Sequence, residues 1–158
     1  MRTLVIGGTQ FIGLRLVHEL LRRGHRVSVL NRGRTVAVLP VEVEQLCADR
    51  TDPVSVRGAL AGREFDAVFD ISAYALEALI PAVEALEGSV GRYIFCSTVA
   101  AYAQSDTYPI LETHPLARGS PNAAQYTVDK VACEDYLSER WRARALPVTI
   151  LRPPFVYG

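Results

Sequence analysis

Six short apolar runs alternate with helix-patterned segments along this chain, and that alternation limits the fold more than any other feature. The runs cover residues 3–6, 26–30, 41–47, 66–71, 92–97 and 147–151, and helical patterns cover 11–23, 54–60, 75–86 and roughly 123–142. Most of the runs are apolar on both faces rather than alternating, which is the mark of strands covered on both sides. Strands separated by helices predict an α/β chain with a doubly wound parallel sheet and helices on both faces. Local signals agree. Gly24 ends the first helix, whose apolar positions are Ile12, Leu16, Leu20 and Leu21, and Asp52-Pro53 suits the first turn of the second. Residues 104–122 form a polar loop containing Pro109, Pro115 and Pro121.

Bulk properties narrow the class. A chain of 158 residues suits one domain. Seventeen basic residues balance seventeen acidic ones without clustering, which argues against a nucleic-acid or anionic-membrane surface. The apolar stretch Leu4-Val5-Ile6 before the glycines is too short to be read as a signal sequence, and no apolar run approaches the ~20 residues of a membrane span. Cys47, Cys96 and Cys133 are far apart and odd in number, so they predict reduced core thiols of a cytoplasmic protein and no metal site. One bias stands out. Of the basic residues sixteen are arginine, and the one lysine is Lys130.

The first strand runs into Gly7-Gly8-Thr9-Gln10-Phe11-Ile12-Gly13 and then into an amphipathic helix. Glycine gives the tight turn at one end and close helix–sheet packing at the other, while the helix amides and dipole face a pyrophosphate. The middle glycine of G-x-G-x-x-G is replaced by Gln10. After the second strand stand Asn31-Arg32-Gly33-Arg34, without the carboxylate that would bond ribose hydroxyls and repel a 2′-phosphate. Two guanidiniums there tilt the cofactor from NAD toward NADP. Asp49, after the third strand, either meets the adenine edge or caps the turn before Thr51.

The decisive pattern is Tyr126-Thr127-Val128-Asp129-Lys130. Spacing of i,i+4 puts phenol and ammonium on one helix face. A cation held near a phenol favours the phenolate, which suits acid–base chemistry. A hydroxyl to orient a substrate oxygen is offered by Ser97 or Thr98, at the carboxyl end of the fifth strand, where open α/β sheets bind ligands. Asp70 reads as a turn cap or loop anchor, His18, His25 and His114 as bystanders, and Arg140-Trp141-Arg142 as an exposed helix end.

"GGTQFIG", "DAVFDISAY", "YIFCSTVAAY", "YTVDK" and "LRPPFVYG" occur in the order and spacing of the extended short-chain dehydrogenase/reductase superfamily. The chain resembles in particular its NAD-dependent epimerase/dehydratase family. Members commonly have glycine at position 10 and Leu-Ala-Ala after the fourth strand. The "GGT-x-F-x-G" and "D-x-S-x-Y" pair is similar to a divergent branch that includes plant chloroplast RNA-associated proteins. The resemblance implies a Rossmann-type fold and makes Thr98, Tyr126 and Lys130 the catalytic residues, with Ser97 beside the cofactor. The expected cofactor wall is Gly7, Thr9, Gln10, Phe11, Ile12, Gly13, Asn31, Arg32, Arg34, Asp49, Ser72, Ser97, Tyr126 and Lys130. Residues 1–158 would then be the N-terminal NAD(P)-binding part of a longer pattern, its smaller substrate domain missing.

The functional expectation is an NAD(P)-dependent epimerase, dehydratase or reductase on a nucleotide sugar or similar hydroxyl or carbonyl substrate. Its partners would be that small molecule and a second copy in a homodimer, with no nucleic acid and no membrane. Two alternatives stay open: a cofactor-binding sensor or scaffold without chemistry, and an RNA-associated protein of the divergent branch.

Overall fold

In the computed structural model, residues 1–34 and 38–157 are described, and their strands form one parallel sheet. In chain order the elements are β1 (Arg2–Ile6), α1 (Phe11–Arg22), β2 (Arg26–Asn31), β3 (Glu44–Cys47), α2 (Pro53–Leu60) and β4 (Ala67–Asp70). They continue with α3 (Leu76–Leu86), β5 (Tyr93–Cys96), a 3₁₀ turn (Val99–Ala101), α4 (Gln125–Arg142) and β6 (Val148–Leu151). The sheet order is β3-β2-β1-β4-β5-β6. The direction of winding therefore reverses between β1 and β4. A crevice opens at the carboxyl ends of the strands at such a reversal, and that is where this architecture binds ligands.

Side chains alternate across the sheet and feed two cores. Val5, Val27 and Val29 meet Val17 and Leu20 of α1. Leu4, Ile6, Val68, Tyr93 and Phe95 meet the other three helices through Val56, Leu60, Leu79, Val83, Leu86, Cys133 and Leu137. This is the expected doubly wound arrangement. Leu79 is fully buried, so truncating it to alanine would cost about 2–5 kcal/mol.

Three details differ from the sequence reading. The buried stripe of α1 is Gly13, Val17 and Leu20 rather than Ile12, Leu16, Leu20 and Leu21. Gly13 must face the sheet for the helix to come close, and positions four and seven residues on follow it inward. The third strand begins at Glu44, because Val43 donates its amide to the Pro40 carbonyl in a turn and leaves Val41 exposed. Cys47 on that edge strand is exposed and Cys96, at the end of β5, is only half-buried, so Cys133 alone is a core thiol.

Candidate active site

The glycine turn is built by close backbone approach. Gly7 has φ +94°, and a Cβ there would stand 2.6 Å from Ser72 Oγ. A Cβ on Gly13 would lie 2.1 Å from the Gly7 carbonyl oxygen. Neither position tolerates a side chain. Gln10 is different: it is the extended N-cap of α1, its side chain is exposed, and it makes no cap hydrogen bond. Phe11 follows at φ +44°, a region that costs a non-glycine residue about 1–3 kcal/mol and clusters at ligand sites.

From this turn a cavity of about 1120 Å³ runs along the strand ends to residues 153–156. That is slightly above the ~300–1,000 Å³ range of small-molecule sites and leaves room for a dinucleotide. Its wall brings together Gly7, Thr9, Gln10, Phe11 and Ile12 with Asn31, Arg32, Arg34, Asp49 and Ser72, and then Ser97, Thr98, Tyr126 and Lys130. Gly13 stands behind the wall and acts by letting the helix close.

At the β2 end, the Asn31 side chain accepts from the Gly33 amide at 2.7 Å and fixes the turn that carries Arg32 and Arg34. Asp49 accepts from the Thr51 amide at 3.1 Å and from its hydroxyl at 2.8 Å, so it is the turn cap. Those bonds, and then the charges of Arg32 and Arg34, hold its carboxyl below the usual range.

At the β4 end lies a network that the sequence reading missed. Arg50 reaches Asp70 with two nitrogens, at 3.0 and 2.7 Å, and also bonds Ser72 Oγ at 2.6 Å and the Ala78 carbonyl at 2.8 Å. Tyr93 donates its hydroxyl to Asp70 at 2.7 Å. Asp70 also accepts from the amides of Ser72 and Ala73. It is the loop anchor expected of it. Burial, and next the Asp70 charge, push the Tyr93 phenol well above its ordinary value. Burial opposes the charge on Arg50, but Asp70 outweighs it and raises the guanidinium's pKa.

Thr98, Tyr126 and Lys130 converge at the far end of the cavity. Thr98 caps the 3₁₀ turn by accepting from the Ala100 amide at 3.2 Å. Lys130 Nζ donates to the carbonyls of Ala73 at 2.8 Å and Cys96 at 2.7 Å. It sits under the rings of Phe95, Tyr74 and Tyr126, at 4.7, 5.1 and 5.9 Å from their centres. This corrects one expectation. Burial is the largest influence on Tyr126 and raises its pKa; what lowers it is the Thr98 hydroxyl, while the ammonium is turned to two carbonyls. Burial also lowers the pKa of Lys130.

Ser97 lines the cavity as expected, and its hydroxyl donates to the buried Glu134 at 2.5 Å. Besides Arg50, the sequence reading gave no role to Tyr74, whose ring stands 6.3 Å from that of Tyr126, or to Glu134. Charged residues in strand-end loops and helices look like solvated surface, so Arg50 and Glu134 left no signal. Among the described residues no group of three or more His, Cys, Asp or Glu could hold a metal ion, and no helix is long and apolar enough to cross a membrane.

A family model described as NAD(P)H-binding matches residues 7–157. The chain belongs to this NAD(P)H-binding family. Among its relatives is the chloroplast stem-loop binding protein of 41 kDa b of Arabidopsis thaliana, 31% identical over 99% of this chain and 42% of the relative. Another is the 2′-dehydrokanamycin reductase of Streptomyces kanamyceticus, 29% identical over 99% of this chain and 43% of the relative. The solved UDP-glucose 4-epimerase of Thermus thermophilus, in complex with NAD, superposes with a TM-score of 0.81 at 28% identity, covering 96% of this chain and 54% of that one. This NAD(P)H-binding chain is thus an extended, divergent short-chain dehydrogenase/reductase by sequence and by fold. It spans less than half the length of the two curated relatives named.

Proposed function

We propose that this NAD(P)H-binding domain serves an oxidoreductase of the epimerase/dehydratase kind, acting on a nucleotide sugar or a similar hydroxyl or carbonyl substrate. One observation carries the reading: Thr98, Tyr126 and Lys130 line the far end of the same cavity that begins at the Gly7 turn. Gly7 and Gly13 hold the turn and the start of α1 in close backbone approach, and the wall from Gly7 to Ile12 runs on to Asn31, Arg32 and Ser72, so these residues fit a dinucleotide. When bound, its nicotinamide supplies hydride acceptance and return.

The chain's own residues do the rest. Amides at the start of α1 meet the pyrophosphate. Arg32 and Arg34 pair with a 2′-phosphate, which favours NADP over NAD. Lys130 has donors for three hydrogen bonds and two are taken by carbonyls; the third is left for a ribose hydroxyl. Thr98 orients the substrate oxygen, and Tyr126 moves the proton at that oxygen. The relatives' greater length supports a substrate-recognising part beyond residues 1–158, where the choice between epimerase, dehydratase and reductase would be made.

Calorimetric titration with NADPH and NADH tests the cofactor half, and tighter binding of NADH would overturn the role given to Arg32 and Arg34. Tyr126→Phe tests the chemistry. Turnover should fall by about 10²–10⁴-fold with cofactor binding retained, and full activity would end the assignment. The name of the chloroplast relative supports a second reading, stem-loop binding. A salt-sensitive RNA gel shift that ignores Tyr126→Phe would favour it; a net charge of zero speaks against it.

A further inference from the structure

Glu134 lies two turns beyond Tyr126 on α4 and is 1% exposed. Its carboxylate is fully engaged. Ser97 Oγ donates to one oxygen at 2.5 Å, Arg152 Nε reaches both oxygens at 2.9 and 3.2 Å, and Arg152 Nη2 adds a bond of 2.6 Å. Arg152 also donates through Nη1 to the Tyr102 hydroxyl at 2.8 Å and lays its guanidinium over that ring at 4.7 Å. Four side chains thereby tie together α4, the corner after β5, the end of the 3₁₀ turn and the exit of β6.

The backbone repeats the tie. Ser97 donates its amide to the Leu151 carbonyl at 2.7 Å, and Val99 donates to the Pro153 carbonyl at 3.1 Å. Thr98, between them, is held on both sides. A buried ion pair is a weak source of stability, because desolvating two charges offsets most of their attraction, and apolar pairs of equal volume often do as well. What a forked guanidinium–carboxylate pair supplies is direction. Here the direction is that of the Ser97-Thr98 corner relative to the helix that carries Tyr126 and Lys130.

We propose that Glu134 and Arg152 form a positioning pair that sets the Thr98 hydroxyl relative to Tyr126 on the cavity wall the two share, with Ser97 as the link. The pair touches no substrate. It acts through Thr98, and the inference rests on the reading of Tyr126 as the acid–base group.

The test is spectrophotometric titration of the Tyr126 phenol, taken as the difference between each protein and the same protein carrying Tyr126→Phe. Thr98→Val removes the hydroxyl and should raise the titration midpoint. Glu134→Gln keeps the shape, frees the corner and should raise it in the same direction. In a Thr98→Val background Glu134→Gln should add nothing further. Ser97→Ala breaks only the link and should give a smaller shift of the same sign, which keeps the test alive if Glu134→Gln fails to fold. A Glu134→Gln or Ser97→Ala shift that persists without Thr98 overturns the proposal, as does a Thr98→Val shift that neither variant reproduces. If Thr98→Val itself leaves the midpoint unmoved, Thr98 does not act on Tyr126 and the proposal falls with it. Loss of turnover in Tyr126→Phe would still uphold the functional reading in that case.

Discussion

Lys130 and Tyr126 sit one helical turn apart, yet the ammonium lies 5.9 Å from the centre of the phenol ring and bonds to the Ala73 and Cys96 carbonyls instead. Burial leaves Tyr126 with a pKa above that of an ordinary phenol. At neutral pH the group therefore begins as a proton donor, which suits protonation of a carbonyl oxygen as hydride arrives.

The sign of the pH dependence follows. Oxidation of a hydroxyl needs the phenolate, so its rate should climb as pH rises toward the elevated Tyr126 pKa. Reduction needs the phenol and should hold at neutral pH and fall along the same limb. Rates measured in both directions against pH check this, and a reduction rate that grows with alkalinity would remove Tyr126 from the donor role.

Asp70 is fully buried and relies on Arg50 and Tyr93. Arg50→Met leaves that carboxylate without its cation and should cost about 3–5 kcal/mol. Tyr93→Phe removes one bond to a charged group and should cost about 1.5–3 kcal/mol. In urea, both should lower the unfolding midpoint without changing the slope. A midpoint for Arg50→Met equal to the parent's would show that the pair holds nothing.

How much of the molecule was legible beforehand follows from what each residue type signals. Glycines at 7 and 13 and the single lysine at 130 have few uses, so they announced the turn and the helix that carries Tyr126. The parallel sheet with helices on both faces followed from alternation alone. Arg50, Glu134 and the inward hydroxyl of Ser97 were hidden, because charged and small polar residues are ordinary on surfaces and only three-dimensional neighbours make them buried partners. The same holds for the phase of α1. Hydrophobicity favoured Leu16, whereas the backbone approach at Gly13 turned Val17 inward.

Acid stability offers a test far from the site. Glu19 accepts from Arg22 and then Arg23 on the surface of α1, which pulls its pKa from 4.5 down to about 2. The folded state then binds fewer protons than the unfolded one between those values. Stability from this carboxylate is complete above pH 4.5 and is lost as pH falls through about 2. Glu19→Gln should flatten the acid limb of a thermal-unfolding series, and about 1 M salt should do much the same by screening an exposed cluster. An acid limb untouched by both would show the arginines to be idle.

Gly13 and Gln10 predict opposite outcomes within one loop. Gly13→Ala places a methyl 2.1 Å from the Gly7 carbonyl oxygen, and backbone on both sides cannot yield as a flexible side chain would. The first turn of α1 must move off the sheet, at an overpacking cost of about 1–3 kcal/mol. It carries its amides out of line with a pyrophosphate, so NADPH binding in calorimetry should disappear. Gln10 caps α1 in an extended conformation without a side-chain bond. Gln10→Gly restores the usual fingerprint and should leave binding intact with stability changed by a few tenths of a kcal/mol, whereas Gln10→Ser adds the missing cap and should gain about 0.5–1 kcal/mol. If Gln10→Gly lost the cofactor while Gly13→Ala kept it, the glutamine would be the pyrophosphate ligand and the roles of the two residues would be reversed.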